Sequence, residues 1–168
     1  YISANTYKTR RANKDNILGY NNIVIDIDCH DDKTSVYERT EALEAFLFRY
    51  EQYKLPKPTI IHRTGRGLQL WYHVQQASAR LAFMFDAVRE CFINACNKII
   101  QDYPTECGML HPDRNASSGL YRMFGTTNTK TSTKTLTQCN DTMYTIQDLV
   151  ELMYEYRPLL KRQAIKHT

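Results

Sequence analysis

The chain has 168 residues, of which 42% are hydrophobic and 24% charged, and this composition suffices for one sizeable domain with a buried core. No apolar run approaches the roughly 18 residues that a membrane-spanning helix needs, and no signal-peptide pattern is present. We therefore expect a cytoplasmic protein with no membrane partner. The net charge is +4. Because the chain starts at Tyr1 without a methionine, we expect residues 1–168 to be one domain of a longer protein.

The first predicted element is a strand that ends in two carboxylates, in the run Asn22-Ile23-Val24-Ile25-Asp26-Ile27-Asp28. Side chains alternate between the faces of a strand, so Asp26 and Asp28 share one face with Val24. Two carboxylates side by side in a half-buried sheet repel each other and lose solvation unless a cation lies between them. Oxygen ligands suit Mg²⁺ or Mn²⁺, so we predict a metal site here. The alternative is a strand end at which both acids simply reach solvent.

An amphipathic helix is predicted over residues 36–53, and two strands then flank the tetrapeptide Thr64-Gly65-Arg66-Gly67. Glycine-rich tetrapeptides of this kind are typical of hairpin turns. Pairing across the turn places His62 directly opposite Gln69. If the hairpin lies beside the first strand, both side chains face the two aspartates.

The second half of the chain begins with a long helix. Ser78 is a favourable N-cap, and apolar residues continue from there at helical spacing to the region of Pro104. The remaining predicted elements are a loop, a short strand, a second hairpin and a C-terminal helix, over residues 105–118, 120–124, 126–137 and from Thr145 onward.

The order of these elements, β-α-β-β-α-β, is the split arrangement of ferredoxin-like and RNA-recognition-motif sheets. We therefore predict an α+β fold, with an antiparallel sheet, helices packed on one face, added strands and a C-terminal helix. The first strand is central in such a sheet, between the hairpin and the strand at residues 120–124. Asp113, in the segment that enters this last strand, would then supply a third carboxylate next to Asp26 and Asp28.

Basic residues are concentrated in three segments that contain no acid, which lie before Asp15, between Glu51 and Asp86, and from Arg114 to Gln138. Basic segments around an acidic metal site suggest that a polyanion is held next to the metal. The alternative is a set of solvated loops. The residues that we assign to nucleic-acid binding are Arg10, Arg11, Lys14, Arg114 and Lys134.

Three carboxylates with Mg²⁺ beside basic loops suit the two-metal displacement of phosphoryl and nucleotidyl transfer. Gly65 and Gly67 would let the backbone approach a triphosphate closely. Arg63 or Arg66 would bind the triphosphate oxygens through its guanidinium. The sequence contains no Gly-x-x-x-x-Gly-Lys-Ser/Thr element, which excludes a P-loop ATPase.

Four segments, taken in this order, resemble the archaeo-eukaryotic primase superfamily, specifically the primase-polymerase domains of plasmid, phage and mobile-element replication proteins. These segments are residues 24–28, 64–71, 113–116 and 120–130. The last is similar to the family's Arg-x-x-Gly-Thr-x-Asn-x-Lys stretch. The resemblance covers roughly residues 5 to 135, and it is the four segments together that make it specific.

The resemblance implies template-directed joining of nucleotides, in which a primase-polymerase domain makes or extends primers on single-stranded DNA. It implies that Asp26, Asp28 and Asp113 hold Mg²⁺ or Mn²⁺ and that the second motif contacts the nucleoside triphosphate. A helicase domain or protein is an expected partner by resemblance alone. The residues assigned to the nucleotide are His62, Arg63, Thr64, Gly65, Arg66, Gly67, Gln69, Arg122 and Lys130.

The chain departs from the family at Gln69, where many relatives have histidine. A glutamine amide can donate a hydrogen bond to a phosphate oxygen but cannot carry a proton or a charge. His62, across the hairpin, is the candidate to supply the missing imidazole.

Two other functions stay open. One is a catalytically weak or inactive nucleic-acid-binding domain of a replication initiator, in which strand aromatics would stack on bases. Such aromatics are more often part of a core. The other function is a metal-dependent nuclease, which shares the carboxylates but does not explain the glycine hairpin. The candidate stacking residues are Trp71, Tyr72, Tyr121 and Phe124.

Overall fold

The computed structural model describes residues 2–29, 31, 33–114 and 120–158. Its strands are β1 (Ile2–Ser3), β2 (Thr6–Tyr7), β3 (Ile17–Cys29), β4 (Ile60–Arg63), β5 (Gly67–Ser78), β6 (Leu110–Pro112), β7 (Leu120–Tyr121), β8 (Thr127–Asn128), β9 (Thr133–Lys134) and β10 (Leu136–Cys139). Its α-helices are α1 (Val36–Gln52), α2 (Ala82–Asp102), α3 (Pro104–Cys107) and α4 (Ile146–Leu152). Short 3-10 turns cover Lys14–Asn16, Ala79–Leu81 and Tyr154–Tyr156.

The main sheet is antiparallel and has the strand order β10-β4-β5-β3-β2, with β6 paired to the far end of β3. The combination of this sheet with packed helices agrees with the predicted α+β class. In the β4–β5 hairpin, His62 lies opposite Gln69 and Ile60 lies opposite Trp71, so the predicted register is confirmed. The 13-residue strand β3 is central, and it carries both aspartates of the first motif.

The structure corrects the strand that flanks β3 on the side away from the hairpin. The predicted loop at residues 105–118 contains α3 and β6, and β6 is the strand that pairs with the end of β3. The predicted strand at residues 120–124 is reduced to β7, which pairs with β1 in a separate two-stranded sheet. Three residues that end in proline are too short to show strand periodicity, which is why β6 escaped prediction.

The predicted hairpin at residues 126–137 is present as β8 and β9. The strand after it, β10, adds to the main sheet by pairing with β4, so His62 faces Thr137 on that side. Ser78 caps the 3-10 turn Ala79–Leu81 rather than α2 itself, which begins at Ala82. The predicted C-terminal helix is present as α4, which begins with a capping box formed by Thr145 and Asp148.

The helices cover one face of the sheet. Ile23, Ile25 and Ile27 of β3 belong to a core that they share with side chains of α1, α2 and α4. Burying apolar surface on this one face is what fixes the register of β3, because a shift by one residue would turn the aspartates into the core. Among the described residues, no helix is long and apolar enough to span a bilayer.

A smaller apolar cluster lies on the opposite face of the sheet, where Ala4 and Val24 pack with Trp71 and Tyr121. Tyr121 and Phe124 meet the Trp71 ring edge-on, at centroid distances of 5.1 and 5.3 Å. Trp71 is only 3% exposed and Tyr121 5% exposed, and Tyr72 is fully buried on the helix side. These side chains are therefore core residues rather than open platforms for stacking bases.

Candidate active site

The two aspartates lie on the sheet face opposite the helices, as strand alternation predicts. Asp26 pairs with Gln69 and Asp28 with Gly67 in the β3–β5 ladder, while Ile25 and Ile27 are fully buried under the helices. Asp26 and Asp28 are themselves only half-buried. The sheet therefore presents both carboxylates at its surface, next to the glycine turn between β4 and β5.

A row of polar side chains crosses four strands at the level of Asp26. Gln69 is its partner on β5, His62 follows on β4 and Thr137 on β10. The Gln69 side chain hydrogen-bonds to Asp26, and its Oε1 accepts from Trp71 Nε1 at 3.4 Å. Both polar ends of the Gln69 amide are thus engaged within the protein.

Negative charge accumulates around Asp26. Burial, followed by the charges of Asp28 and Asp113, raises the pKa of the Asp26 carboxyl to about 7. The hydrogen bond from Gln69 and the charge of Arg89 act in the opposite direction. The three acids of the first and third motifs therefore lie close enough to influence one another, as the sequence predicts.

Asp113 follows β6 directly, and its backbone N–H donates to the Asp26 carbonyl at 2.8 Å. From α2, Arg89 donates through Nη2 to the Asp113 carbonyl at 2.7 Å and through Nη1 to the Arg114 carbonyl at 2.8 Å. This double contact holds the backbone that carries the third acid. Sequence reasoning missed Arg89, because an arginine on an amphipathic helix gives no local signal of a role in another segment. Asn115 and Ala116, the rest of the third motif, lie outside the described residues.

The donor chemistry of this face fits a divalent cation. Asp26 and Asp28 offer hard oxygen ligands, and their mutual repulsion is the kind of energetic cost that a bound Mg²⁺ or Mn²⁺ removes. No group of three or more His, Cys, Asp or Glu side chains that could hold a metal ion is found among the described residues. Asp26 and Asp28 are therefore the residues that could hold a cation, and Asp113 is a third acid within electrostatic reach.

The glycine turn is tightly packed against the end of β3. A Cβ atom at Gly67 would lie 2.3 Å from the Ile27 carbonyl oxygen and 2.9 Å from Asp28 Oδ1. Gly67 is thus required for close approach of β5 to the strand that carries Asp28. Gly65 has a φ of +91°, and a Cβ there would lie 2.9 Å from Thr131 Oγ1. The space next to both glycines is therefore filled by other parts of the protein. The predicted approach of a triphosphate to these two residues stays a prediction.

Asn128 anchors this turn from the β8–β9 hairpin. It is only 5% exposed, and its Nδ2 donates to the Thr64 carbonyl at 2.8 Å. Its Oδ1 accepts from the Lys130 backbone N–H at 3.1 Å. Sequence reasoning did not assign Asn128 to the site, although Asn128 is the asparagine of the Gly-Thr-x-Asn-x-Lys segment and this motif position was an available signal.

His62 is buried in the row, with no exposed surface. Its Nδ1 lies 3.0 Å from Thr137 Oγ1, and the ring of Phe124 meets it edge-on at 4.8 Å. Its Nε2 has no hydrogen-bond partner among the described residues. Burial, helped by the charge of Arg122, lowers the pKa of the imidazole, so His62 is neutral at pH 7.

Several predicted site residues are not brought to this face. Arg63 points to the helix side, where its Nε donates to Glu44 Oε1 at 2.7 Å. Arg10 and Arg11 precede β3, and Asp26 lies nine residues along that strand, a span of about 30 Å. Lys14 binds Asp86 at 2.8 Å, Arg114 binds Glu90 at 2.9 Å, and Lys134 is exposed on β9. Of the other predicted cations, Lys130 is exposed in the turn between β8 and β9, and Arg66 and Arg122 are partly exposed.

No family model matches the sequence, and no curated protein matches it. Among solved structures, the chain is similar to the AEP domain of the cyanophage S-2L primase-polymerase, with a TM-score of 0.57 and 13% sequence identity. The match covers 84% of this chain and 64% of that domain, so the chain spans about two thirds of the length of the structure it resembles. At this identity the likeness shows the fold alone, and the fold is primase-like.

Proposed function

We propose that the protein is a template-directed nucleotidyltransferase, a DNA primase or primase-polymerase that makes or extends primers. The observation that carries this proposal is the electrostatic coupling of Asp26 with Asp28, which shares its face of the sheet, and with Asp113. The primase-like fold supports it. We further propose that β3, α1, β4, β5, α2 and β6 form the split β-α-β-β-α-β unit, since their sheet order is β6-β3-β5-β4.

Mg²⁺ or Mn²⁺ would be held by Asp26 and Asp28, with Asp113 as the third ligand. Held there, such an ion would supply activation of the attacking hydroxyl and neutralisation of charge on the phosphate. The protein's own contribution is positional. Gln69 orients Asp26 through its amide, and Arg89 fixes the backbone of Asp113.

The incoming nucleoside triphosphate would lie over the glycine turn. We assign its phosphate contacts to Arg66, Arg122 and Lys130, because these three predicted cations are at least partly exposed. His62 and Gln69 are buried, and their role is to support the floor of the site. Because the imidazole of His62 is neutral, it does not repel the neighbouring guanidinium of Arg122.

A single-stranded DNA template that reaches both Arg10 and the aspartates would run along β3 for about 30 Å. By resemblance, we propose that the protein replicates a plasmid, phage or other mobile element in the cytoplasm. A helicase, attached or separate, is its expected partner. The mobile element, the cytoplasm and the helicase are proposed from the family resemblance, and none of them changes the residues assigned to the site.

Incorporation of labelled nucleotides on a single-stranded template, with Mg²⁺ or Mn²⁺, tests the proposal. We expect extension by the wild type and none by Asp26→Ala or Asp28→Ala, with both variants folded. Asp102→Ala, which changes an exposed acid of α2, is the matched control and should retain activity. Normal incorporation by folded Asp26→Ala protein would contradict the proposed role of this carboxylate.

The second candidate is a nucleic-acid-binding domain with weak or no catalysis. The engaged amide of Gln69 and the lack of a formed three-ligand group among the described residues favour it. It predicts template binding without incorporation in either metal. Degradation of the template in the same assay would instead identify a nuclease.

A further inference from the structure

A pocket of about 100 Å³ lies between α1 and the β8–β9 hairpin, at the same end of the sheet as the glycine turn. Three cationic side chains line it, whereas only one carboxylate does so among the described residues. Val36, Leu43 and Leu136 form apolar walls. The charged lining residues are Arg39, Arg63, Lys134 and Glu44.

Arg39 is the least expected of these residues, because its guanidinium is buried. The residue is 9% exposed, and its Nη1 donates to the Thr34 carbonyl at 2.8 Å. Its Nε is buried without a hydrogen-bond partner, and no ion pair to it is found among the described residues. A guanidinium stays charged at any working pH, and a buried charge without a counter-charge is costly. A ligand that brings negative charge would remove that cost.

The neighbouring charges leave room for such a ligand. Arg63 is balanced by Glu44, whose Oε1 accepts from Arg63 Nε at 2.7 Å. Lys134 is exposed at the rim of the pocket, and it has no ion pair among the described residues. Arg39 and Lys134 therefore contribute two positive charges that nothing described in the chain neutralises.

We propose that this pocket binds a terminal phosphate group, with Arg39 as its buried anchor and Lys134 at its rim. Two unmatched cations fit a phosphate monoester or a free phosphate ion, which carries close to two negative charges at pH 7. An internal phosphodiester of a DNA strand carries only one. The buried side chain of Leu43 makes the surroundings of the guanidinium less polar, which strengthens its attraction to a phosphate. The ligand is either inorganic phosphate or a free nucleotide.

The pocket opens on the other side of the sheet from the aspartates, although Gly65 and Gly67 of the glycine turn also line it. Arg63 and the α1 residues lie on the helix side of the sheet, whereas Asp26 lies on the other side. The proposal therefore does not rest on nucleotidyl transfer, and its test requires no catalysis.

Thermal unfolding of the full chain in increasing phosphate, at ionic strength matched with potassium chloride, tests the proposal. At about a hundredfold excess over Kd, we expect the wild-type midpoint to rise by roughly 5 to 10 °C. Arg39→Met keeps an apolar stem and removes the charge, so without phosphate it should unfold at the same or a higher temperature than the wild type. Its midpoint should not respond to phosphate. Arg80→Met, which changes an exposed arginine outside the pocket, is the matched control and should respond like the wild type.

An equal response of Arg39→Met and wild type, or no response of the wild type, would overturn the proposal. If Arg39→Met does not fold, Lys134→Gln takes its place, and we expect its affinity for phosphate to fall by about threefold to tenfold. An unchanged affinity of Lys134→Gln would also overturn the proposal.

Two further titrations identify the source of the phosphate. Stabilisation by a nucleoside triphosphate that depends on Arg39 identifies a nucleotide, whereas dependence seen only with inorganic phosphate identifies the free ion. Either result supports the proposal. A single-stranded oligonucleotide with hydroxyl ends should act on wild type and Arg39→Met alike. A loss of its effect in Arg39→Met would overturn the assignment to a terminal phosphate.

Discussion

The backbone N–H of Asp113 donates to the carbonyl oxygen of Asp26 at 2.8 Å, so the third acid is fastened to the strand that carries the first two. This backbone contact brings the acids of two distant motifs close together. Burial of Asp26, together with repulsion from the other two acids, raises the pKa of its carboxyl. Without a metal, the ionised form of Asp26 therefore lowers the stability of the folded protein, and this effect can be measured.

Asp26→Asn should stabilise the metal-free protein at high pH. The pKa of Asp26 is raised from 3.8 to about 7 in the folded state, so the folded protein holds a proton that the unfolded chain has already lost. The stability of the wild type therefore falls as the pH rises from about 4 to about 7, and is constant above that range. The variant lacks this loss, and we expect it to be more stable by roughly 2 to 4 kcal/mol at pH 8.

Urea unfolding in the presence of a chelator, at pH 4 and pH 8, checks this prediction. The two proteins should differ much less at pH 4, where Asp26 is protonated in the folded protein and roughly two fifths protonated in the unfolded chain. A stability difference that is the same at both pH values would show that the burial and repulsion of Asp26 are not its source.

Gly67→Ala should be strongly destabilising. The added Cβ would lie 2.3 Å from the Ile27 carbonyl oxygen. This oxygen belongs to the backbone of β3, which is paired with β5 and cannot easily move away. We expect a loss of roughly 2 to 4 kcal/mol in the free energy of unfolding, measured by denaturant titration. Gly125→Ala is the matched control, because its φ of +74° is strained but no atom lies within 4 Å of the added Cβ. It should cost only about 1 kcal/mol, and equal losses would argue against a close approach at Gly67.

Arg89→Met tests the positioning of Asp113. The variant loses both hydrogen bonds to the backbone of Asp113 and Arg114 and the positive charge that lowers the pKa of Asp26. We expect kcat for nucleotide incorporation to fall by about tenfold or more with a smaller change in KM, because the acids and not the substrate contacts are disturbed. The pH at which activity rises should also shift upward. A fall in stability with an unchanged pH profile would identify Arg89 as a purely structural residue.

The local parts of the fold could be predicted from the sequence. The register that sets His62 opposite Gln69 follows from a short turn and strand alternation, and both act between neighbours in the chain. The pairing of β10 with β4 and of β6 with β3 depends on segments of three or four residues that meet distant partners. Such short segments carry too few residues for a periodic signal.

The site shows the same division. Alternation along β3 predicts the shared face of the aspartates. Applied to β4, it also turns Arg63 away from the face of His62, and its pairing with Glu44 agrees with that direction. Arg89 and Asn128 act through backbone carbonyls of other segments, so their roles follow from tertiary contacts that local patterns do not encode.

Asn128→Ala should weaken nucleotide binding by loosening the glycine turn. The buried Nδ2 of Asn128 is a donor to the Thr64 carbonyl, and its removal leaves that carbonyl without this partner. We expect a loss of roughly 1 to 3 kcal/mol in the free energy of unfolding. Because the turn carries Arg66, the apparent KM for the nucleotide should rise by several-fold while the variant is still folded.

Asn140→Ala is the matched control for this prediction, since Asn140 Nδ2 makes a similar contact, 2.9 Å to the Pro58 carbonyl, at the other end of β4. It should lower stability to a comparable or smaller extent and leave the KM unchanged. Nucleotide kinetics and urea unfolding on the same preparations separate the two effects. If both variants raised the KM in proportion to their loss of stability, the change would reflect general loosening of the sheet. A raised KM in Asn128→Ala alone would instead tie nucleotide binding to the glycine turn that Asn128 supports.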